Sequence, residues 1–238
     1  MKRWSGKRIA VVAVAGVLAL FAGAYAVFAF VSGGGQAPVS IADVASGLSG
    51  STTTTAGDFD GNFDGTWTLV DGGSFVGYRV REELAFLPAP TDAVGRSTAV
   101  EGSLQIDGLQ IIATTVTAHL TQLESDESRR DLAIRTNGLQ SDTFPTATFE
   151  LTQPIAFRER PAEGQVVDVE AMGDLTHHGV TREVTIPLQA RWDGRQIAVV
   201  GSLDIAFEDY QITPPSLGPA TVGDNGTIEL QLLFVPTA

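Results

Sequence analysis

Apolar and polar residues alternate with a period of two along most of the chain beyond Gly65. In residues 181–192, TREVTIPLQARW, the apolar side chains from Val184 to Trp192 occupy every second position. Residues 226–235, GTIELQLLFV, repeat the pattern. Because successive side chains of a strand point to opposite faces, this alternation predicts strands with one buried face. About eight such runs, separated by turn signals such as WDGRQ and GDNGT, predict an all-β antiparallel sandwich or barrel.

One segment between these runs breaks the alternation. Residues 124–145, ESDESRRDLAIRTNGLQSDTFP, begin with serine and acidic residues that suit a helix N-terminus, and Gly138 suits a helix end. Pro145 then precedes another alternating run, TATFELT. The pattern predicts one short helix inserted between two strands.

The first 65 residues follow a different pattern. Residues 9–31 are uncharged and largely apolar, and the basic segment 1–8 precedes them. As a helix, this stretch would span roughly 35 Å, enough for a hydrocarbon core of ~30 Å. The flanking positive charges predict a cytoplasmic N-terminus, with the remainder of the chain outside the cell. Residues 32–65 are rich in Gly, Ser and Thr and predict a flexible linker, which leaves 66–238 as the folded domain.

A cleaved signal peptide is the alternative for the same apolar stretch. The small residues AGA and AYA at 22–26 offer cleavage sites, although the stretch is longer than the ~7–15 apolar residues usual in signal peptides. The sequence therefore predicts a single-pass cell-membrane protein with an extracellular domain, or a secreted protein if the segment is cleaved.

Charge and cysteine content exclude several classes of function. The net charge is −13, and beyond position 8 the chain carries 11 arginines and no lysine against 28 acidic residues. Nucleic-acid binding depends on clustered basic side chains, so we expect no nucleic-acid partner. The chain has no cysteine, which excludes disulfides, a thiolate nucleophile and a cysteine metal site.

Two of the three histidines are adjacent, in LTHHGVT between two strand runs. Neighbouring residues on a strand point to opposite faces, so His177 and His178 are poorly placed to bind one metal ion, and only His119 remains as a further histidine ligand. Gly179 supplies the positive φ that a tight connection needs. We interpret the pair as a hairpin corner whose imidazole satisfies backbone groups, and we assign no metal site.

Recognised catalytic patterns are absent from the sequence, which contains no GxSxG, GxGxxG, phosphate-binding loop or HExxH. We therefore predict a protein that is not an enzyme, with no catalytic residue and no required cofactor. The one compact charged cluster is Arg129–Arg130–Asp131. It is either an ion pair at the start of the helix or a polar group placed over a barrel mouth.

Several fragments together resemble one known family. SFVGYRV, RRDLAIR, FPTATFELTQPI and GDLTHHGVTREVTIPL occur in order between about residues 66 and 234 and resemble the YceI-like polyisoprenoid-binding proteins of bacteria. FPTATF followed by LTxHGVT is the more specific part of the resemblance. His178 matches the usual histidine of the family, whereas His177 stands where an apolar residue is common. The tethered, lysine-poor form is similar to an actinobacterial branch.

The resemblance implies an eight-stranded, lipocalin-like antiparallel barrel that holds an isoprenoid chain or a quinone in an apolar tunnel. For the mouth it points to Arg130, Asp131 and His178 as polar candidates. It implies an isoprenoid lipid and the membrane as partners, and a homodimer is a candidate assembly. From the inward faces of the runs and one loop, the expected lining residues are Val76, Tyr78, Phe86, Phe149, Val169, Ile186, Leu188, Trp192, Val199, Leu203, Leu230 and Leu232.

Two alternatives remain open from the sequence. The same apolar residues would fill a solid barrel, which would then act as an interaction module for a protein of the cell envelope. A second alternative is an enzyme that uses His178 with Asp174 or Arg130 on a bound lipid.

Overall fold

The strands and helices account for most of the chain from residue 63 onward. The computed structural model describes residues 36–48, 63–70, 72–85, 89–214 and 220–237. Two short α-helices in these ranges are α1 (Ile41–Leu48) and α2 (Ser128–Ala133). The strands there are β1 (Gly65–Leu69), β2 (Phe75–Leu84), β3 (Thr91–Ser97), β4 (Val100–Asp107), β5 (Gln110–His119), β6 (Glu124–Ser125), β7 (Thr146–Leu151), β8 (Ile155–Ala156), β9 (Val166–His177), β10 (Val180–Trp192), β11 (Ile197–Ala206), β12 (Ala220–Val222) and β13 (Asn225–Pro236).

Eight of the strands form a closed barrel. Their order around the ring is β1, β4, β5, β7, β9, β10, β11 and β13, and β13 pairs back with β1. Every pairing in the ring is antiparallel. The predicted eight-stranded antiparallel barrel is therefore confirmed. Closure gives each ring strand a neighbour on both sides, which removes the open edges of a flat sheet.

The long strand β13 has two neighbours along one of its edges. Its C-terminal residues, 234–236, pair with β1, whereas residues 227–231 pair with β2. Strand β2 continues the wall through β3 to the short β6. The wall is thus completed by β1 near one end of the barrel and by the β2–β3 hairpin near the other.

The predicted helix lies between β5 and β7 and is shorter than the segment from which it was predicted. Helix α2 continues directly into a single π-helical turn over Ile134–Gly138. The carboxylate of Glu127 accepts a hydrogen bond from the Arg129 backbone N–H and caps the helix. Because β5 ends and β7 begins at the same end of the barrel, we call this end the helical end.

Aromatic side chains close the opposite end of the barrel. Trp67 is only 1% exposed, and its Nε1 donates a hydrogen bond of 3.1 Å to the backbone oxygen of Phe63. The Phe63 ring lies 5.7 Å from the Trp67 ring and 5.5 Å from the Trp192 ring, measured between centroids. We call this the Trp67 end.

Part of the range predicted as a flexible linker is folded. Within residues 32–65, α1 packs Ile41 and Val44 against Ala198, Val200 and Leu233 on the outer face of the barrel. The prediction of a linker over the whole range is wrong for this part, because Ile41 and Val44 lie on one face of the helix and the barrel offers that face an apolar patch.

The predicted anchor at 9–31 and the basic segment 1–8 lie outside the described residues. Within the ranges that the structure describes, none of the helices has the length and apolar character needed to cross a bilayer.

Close packing inside the barrel depends on Gly173 of β9. A Cβ added there would collide with the backbone oxygen of Glu150 and the ring of Phe149. Gly173→Ala should therefore lower the free energy of unfolding by about 2 kcal/mol, a typical cost of overpacking. Chemical denaturation measures the change.

Gly223 provides the matched control for this prediction. Its added Cβ would come no closer than 3.7 Å to a neighbouring atom, the Asn225 Oδ1. Gly223→Ala should change the unfolding free energy by less than about 0.5 kcal/mol. Equal effects of the two substitutions would contradict the packing described for β9.

Candidate ligand-binding cavity

The barrel contains an elongated apolar cavity of about 220 Å³. A buried water needs only ~10–15 Å³, so this space is much larger than an ordinary packing defect. Its wall is formed by β2 and by the ring strands β4, β5, β7, β9, β10, β11 and β13, and the π-helical turn contributes Ile134 and Gly138 at the helical end. The barrel is therefore hollow along much of its length.

Most of the residues predicted as lining do lie on the cavity wall, because the alternation of side chains along each strand places them on the inner face. Whether they contact a ligand stays a prediction. The ten that line the cavity are Val76, Tyr78, Phe149, Val169, Ile186, Leu188, Val199, Leu203, Leu230 and Leu232.

Two other predicted lining residues are not part of the wall described. Trp192 is the last residue of β10 and packs edge-on against Phe63 at the Trp67 end, where it helps to close the barrel instead of lining the cavity. Its position at the strand end explains the difference. Phe86 lies outside the described residues.

A buried ion pair lies at the helical end of the cavity. Arg130 of α2 and Glu82 of β2 both line the cavity, and their side chains approach to 3.2 Å. Arg130 also donates a hydrogen bond to the carboxylate of Asp126. Burial by itself would lower the pKa of Arg130, but the carboxylates of Asp126 and Glu82 outweigh burial and raise it. Arg130 is thus a cation whose charge is already balanced.

Tyr78 of β2 adds a second polar group to this part of the wall. Burial raises the pKa of Tyr78 to about 12, so its phenol stays protonated at neutral pH. The hydroxyl lies near Ser125 but makes no hydrogen bond of normal geometry with any described residue. It is therefore a neutral hydroxyl in an apolar wall.

Asp131 and His178, the other two predicted mouth residues, do not line the cavity. The carboxylate of Asp131 accepts hydrogen bonds from the backbone N–H and the hydroxyl of Ser125, at 3.0 and 2.5 Å, and so holds α2 to β6. His178 lies in the turn between β9 and β10, where its ring packs 4.3 Å from the Phe144 ring. Both side chains serve local structure.

The adjacent histidines form the hairpin corner that the sequence predicted. His178 and Gly179 are the two central residues of the turn, with φ values of 50° and 76°. Two consecutive positive φ values are typical of a type I′ hairpin turn. The His178 Nδ1 lies 3.0 Å from the backbone oxygen of Tyr210, so this nitrogen donates the hydrogen bond. The interpretation of this imidazole as a group that satisfies the backbone is therefore confirmed.

His177 is the functional candidate that the sequence analysis did not identify. It is the last residue of β9, 6% exposed, and it lines the cavity together with Ala171 and Leu175 of the same strand. Burial, and to a smaller extent His178, lower the pKa of His177 to about 4. The alternation from Val169 onward could have revealed its inward position, because His177 occupies the same phase as these apolar residues.

The described residues offer no obvious metal site, since none of their His, Asp and Glu side chains gather in a group of three or more. The polar groups on the cavity wall include the Arg130–Glu82 ion pair, the Tyr78 hydroxyl and the neutral His177 imidazole.

Comparison with known proteins identifies relatives of the barrel domain. The YceI-like domain family matches residues 67–234. A UPF0312 protein of Vibrio vulnificus is 29% identical over 139 residues, which cover 55% of this chain and 69% of that protein. A UPF0312 protein of an Enterobacter species is 31% identical over 113 residues, covering 44% of this chain and 54% of the relative.

Two solved structures share the fold. One is described as a polyisoprenoid binding domain from Saccharophagus degradans implicated in plant cell wall breakdown; it has a TM-score of 0.56, is 15% identical, and the match covers 72% of this chain and 98% of that one. The other is BcnA of Burkholderia cenocepacia, with a TM-score of 0.54 and 17% identity, covering 69% of this chain and 98% of that one. At such low identity these structures establish the architecture only.

The depressed pKa of His177 predicts a specific loss of stability in acid. In the unfolded chain a histidine titrates near 6.5, so between pH 6.5 and about 4 the unfolded state binds the proton more readily than the folded state does. The contribution of neutral His177 is present above pH 6.5 and is lost as the pH falls towards 4. We expect a loss of about 3 kcal/mol over this window.

The measurement is the unfolding free energy of the wild type and of His177→Leu between pH 7 and 4. Because leucine cannot titrate, the variant should lose about 3 kcal/mol less stability than the wild type over this pH range. Parallel curves would contradict the assignment of a buried neutral imidazole.

Proposed function

The chain belongs to the YceI-like family, and from that premise we propose that it binds an isoprenoid lipid, either a polyprenyl chain or a quinone, inside the barrel for storage or transport. We place this activity outside the cytoplasm, with residues 9–31 as a single-pass anchor, as the apolar stretch and its basic flank predict.

The apolar cavity is the observation that carries the proposal. Burial of hydrocarbon contributes about 0.8 kcal/mol per CH₂, so ten buried carbons contribute about 8 kcal/mol before the cost of immobilising the ligand is subtracted. A wall of Val, Leu, Ile, Ala and Phe side chains can supply this energy without any polar contact. An unbranched or methyl-branched chain matches the elongated space between the ring strands.

The two ends of the cavity differ in a way that gives the ligand a direction. The Trp67 end is closed by Phe63, Trp67 and Trp192. The helical end carries the polar side chains of Tyr78 and Arg130. We therefore orient the ligand with its hydrocarbon tail towards the Trp67 end and its polar head towards the helical end.

The same observations bear on the two alternatives. A solid barrel that acts only through its surface has no use for an internal cavity, so the cavity favours the lipid-binding function. An enzyme that depends on His178 is disfavoured, because the ring packs on Phe144 and its Nδ1 is engaged by the Tyr210 backbone oxygen.

A side chain that fills the cavity should abolish binding. Leu203 of β11 points into the cavity, and its neighbour Ser202 is exposed on the outer face of the same strand. Leu203→Trp should weaken binding of geranylgeraniol at least tenfold, because the indole occupies the space of the chain. Equilibrium binding of the radiolabelled alcohol to the delipidated full-length protein measures the effect.

Ser202→Trp is the matched control, since it adds the same indole one position away on the outside of the wall. It should bind geranylgeraniol as the wild type does. Circular dichroism and thermal unfolding verify that both variants are folded. Undiminished binding by a folded Leu203→Trp variant would show that the ligand does not occupy the cavity.

A further inference from the structure

His177 is out of place in a cavity that binds only hydrocarbon. The inward positions that precede it on β9 carry Val169, Ala171, Gly173 and Leu175, and none of them has a polar side chain. The His177 side chain lines the same cavity, yet among the described residues its Nδ1 has no hydrogen-bond partner. An apolar side chain such as leucine would line this position without that deficit.

The missing hydrogen bond has a measurable cost. A buried polar group without a partner typically lowers stability by about 1–3 kcal/mol. Protonation of the ring does not offset this cost at neutral pH, because burial lowers the pKa of His177 to about 4 and the ring stays neutral. A neutral imidazole offers one N–H donor and one bare nitrogen acceptor. A ligand group that can donate or accept a hydrogen bond would offset the cost.

The nearby charges indicate what kind of group this is. Arg130 and Glu82 are the charged side chains on the described cavity wall, and they pair with each other at 3.2 Å. Asp126 makes a second ion pair with Arg130. A phosphate head group would therefore meet a cation already held by two carboxylates, and its own charge would be repelled by both. An uncharged hydroxyl or carbonyl meets no such penalty.

We propose that His177 is a specificity-determining residue that hydrogen-bonds an uncharged hydroxyl or carbonyl of the bound lipid, so that the cavity selects isoprenoid alcohols or quinones over hydrocarbons and over phosphate esters of the same length. This inference rests on the proposed lipid-binding function. It assigns a polar contact at the end of β9, at the same helical end as Arg130 and Tyr78.

Three ligands with the same C20 chain separate the contributions of the head group. They are geranylgeraniol, geranylgeranyl phosphate and the C20 isoprenoid hydrocarbon without an oxygen. Dissociation constants are measured on the delipidated full-length protein and its variants. The wild type should bind the alcohol about tenfold more tightly than the hydrocarbon, and more tightly than the phosphate.

Two substitutions at His177 test its role. His177→Leu should bring the alcohol-to-hydrocarbon affinity ratio close to one while leaving hydrocarbon binding nearly unchanged. His177→Gln keeps a neutral donor and acceptor and should retain part of the preference. Tyr210→Phe is the matched control, because it removes a buried hydroxyl close to His177. The centroids of the Tyr210 and His177 rings lie 5.6 Å apart, but Tyr210 does not line the cavity. It should leave the ratio unchanged.

The outcomes distinguish this inference from the function on which it rests. If His177→Leu weakens the binding of the alcohol and the binding of the hydrocarbon by the same factor, His177 has only a structural role and the inference fails. Tighter binding of the phosphate than of the alcohol by the wild type would also overturn it, while leaving lipid binding intact. Failure of the wild type to bind any of the three ligands would contradict the proposed function itself.

Discussion

Closure of the sheet through the pairing of β13 with β1 is the constraint on which the rest of the structure depends. Three residue pairs, from Leu69–Phe234 to Trp67–Pro236, join the last strand to the first. This contact turns the inner faces of eight strands towards one another and removes them from water together. An eight-stranded barrel is just wide enough either to be filled by its own side chains or to hold one small ligand. Here the inward side chains leave an elongated space.

The helical insertion makes the two ends of that space chemically different. It enters where β5 ends and β7 begins, and Arg130 reaches from α2 to Glu82 on β2. Asp131 fastens the same helix to Ser125. The Arg130–Glu82 ion pair thus joins the insertion to β2 at the cavity wall. The aromatic cluster around Trp67 closes the other end, and the Arg160 guanidinium there lies 5.4 Å from the centroid of the Phe63 ring and does not line the cavity.

The barrel was predictable from the sequence because a period-two pattern identifies both the strands and the face each one buries. For the same reason, ten of the predicted lining residues lie on the wall. The errors occur where strands end or where tertiary contacts decide. Trp192 terminates β10 and packs on Phe63, and helix α1 folds only because the barrel offers it an apolar patch. His178 was expected at the mouth of the barrel but lies in the hairpin turn, whereas His177, the last residue of β9, lines the cavity.

The most direct test of the account is mass spectrometry of an organic extract from the full-length protein, purified from a host that makes polyprenols and quinones. The account predicts one isoprenoid per chain, carrying a hydroxyl or carbonyl head group. An extract free of isoprenoid, unchanged after the protein is incubated with quinones and polyprenols, would contradict the claim that the cavity is a lipid-binding site.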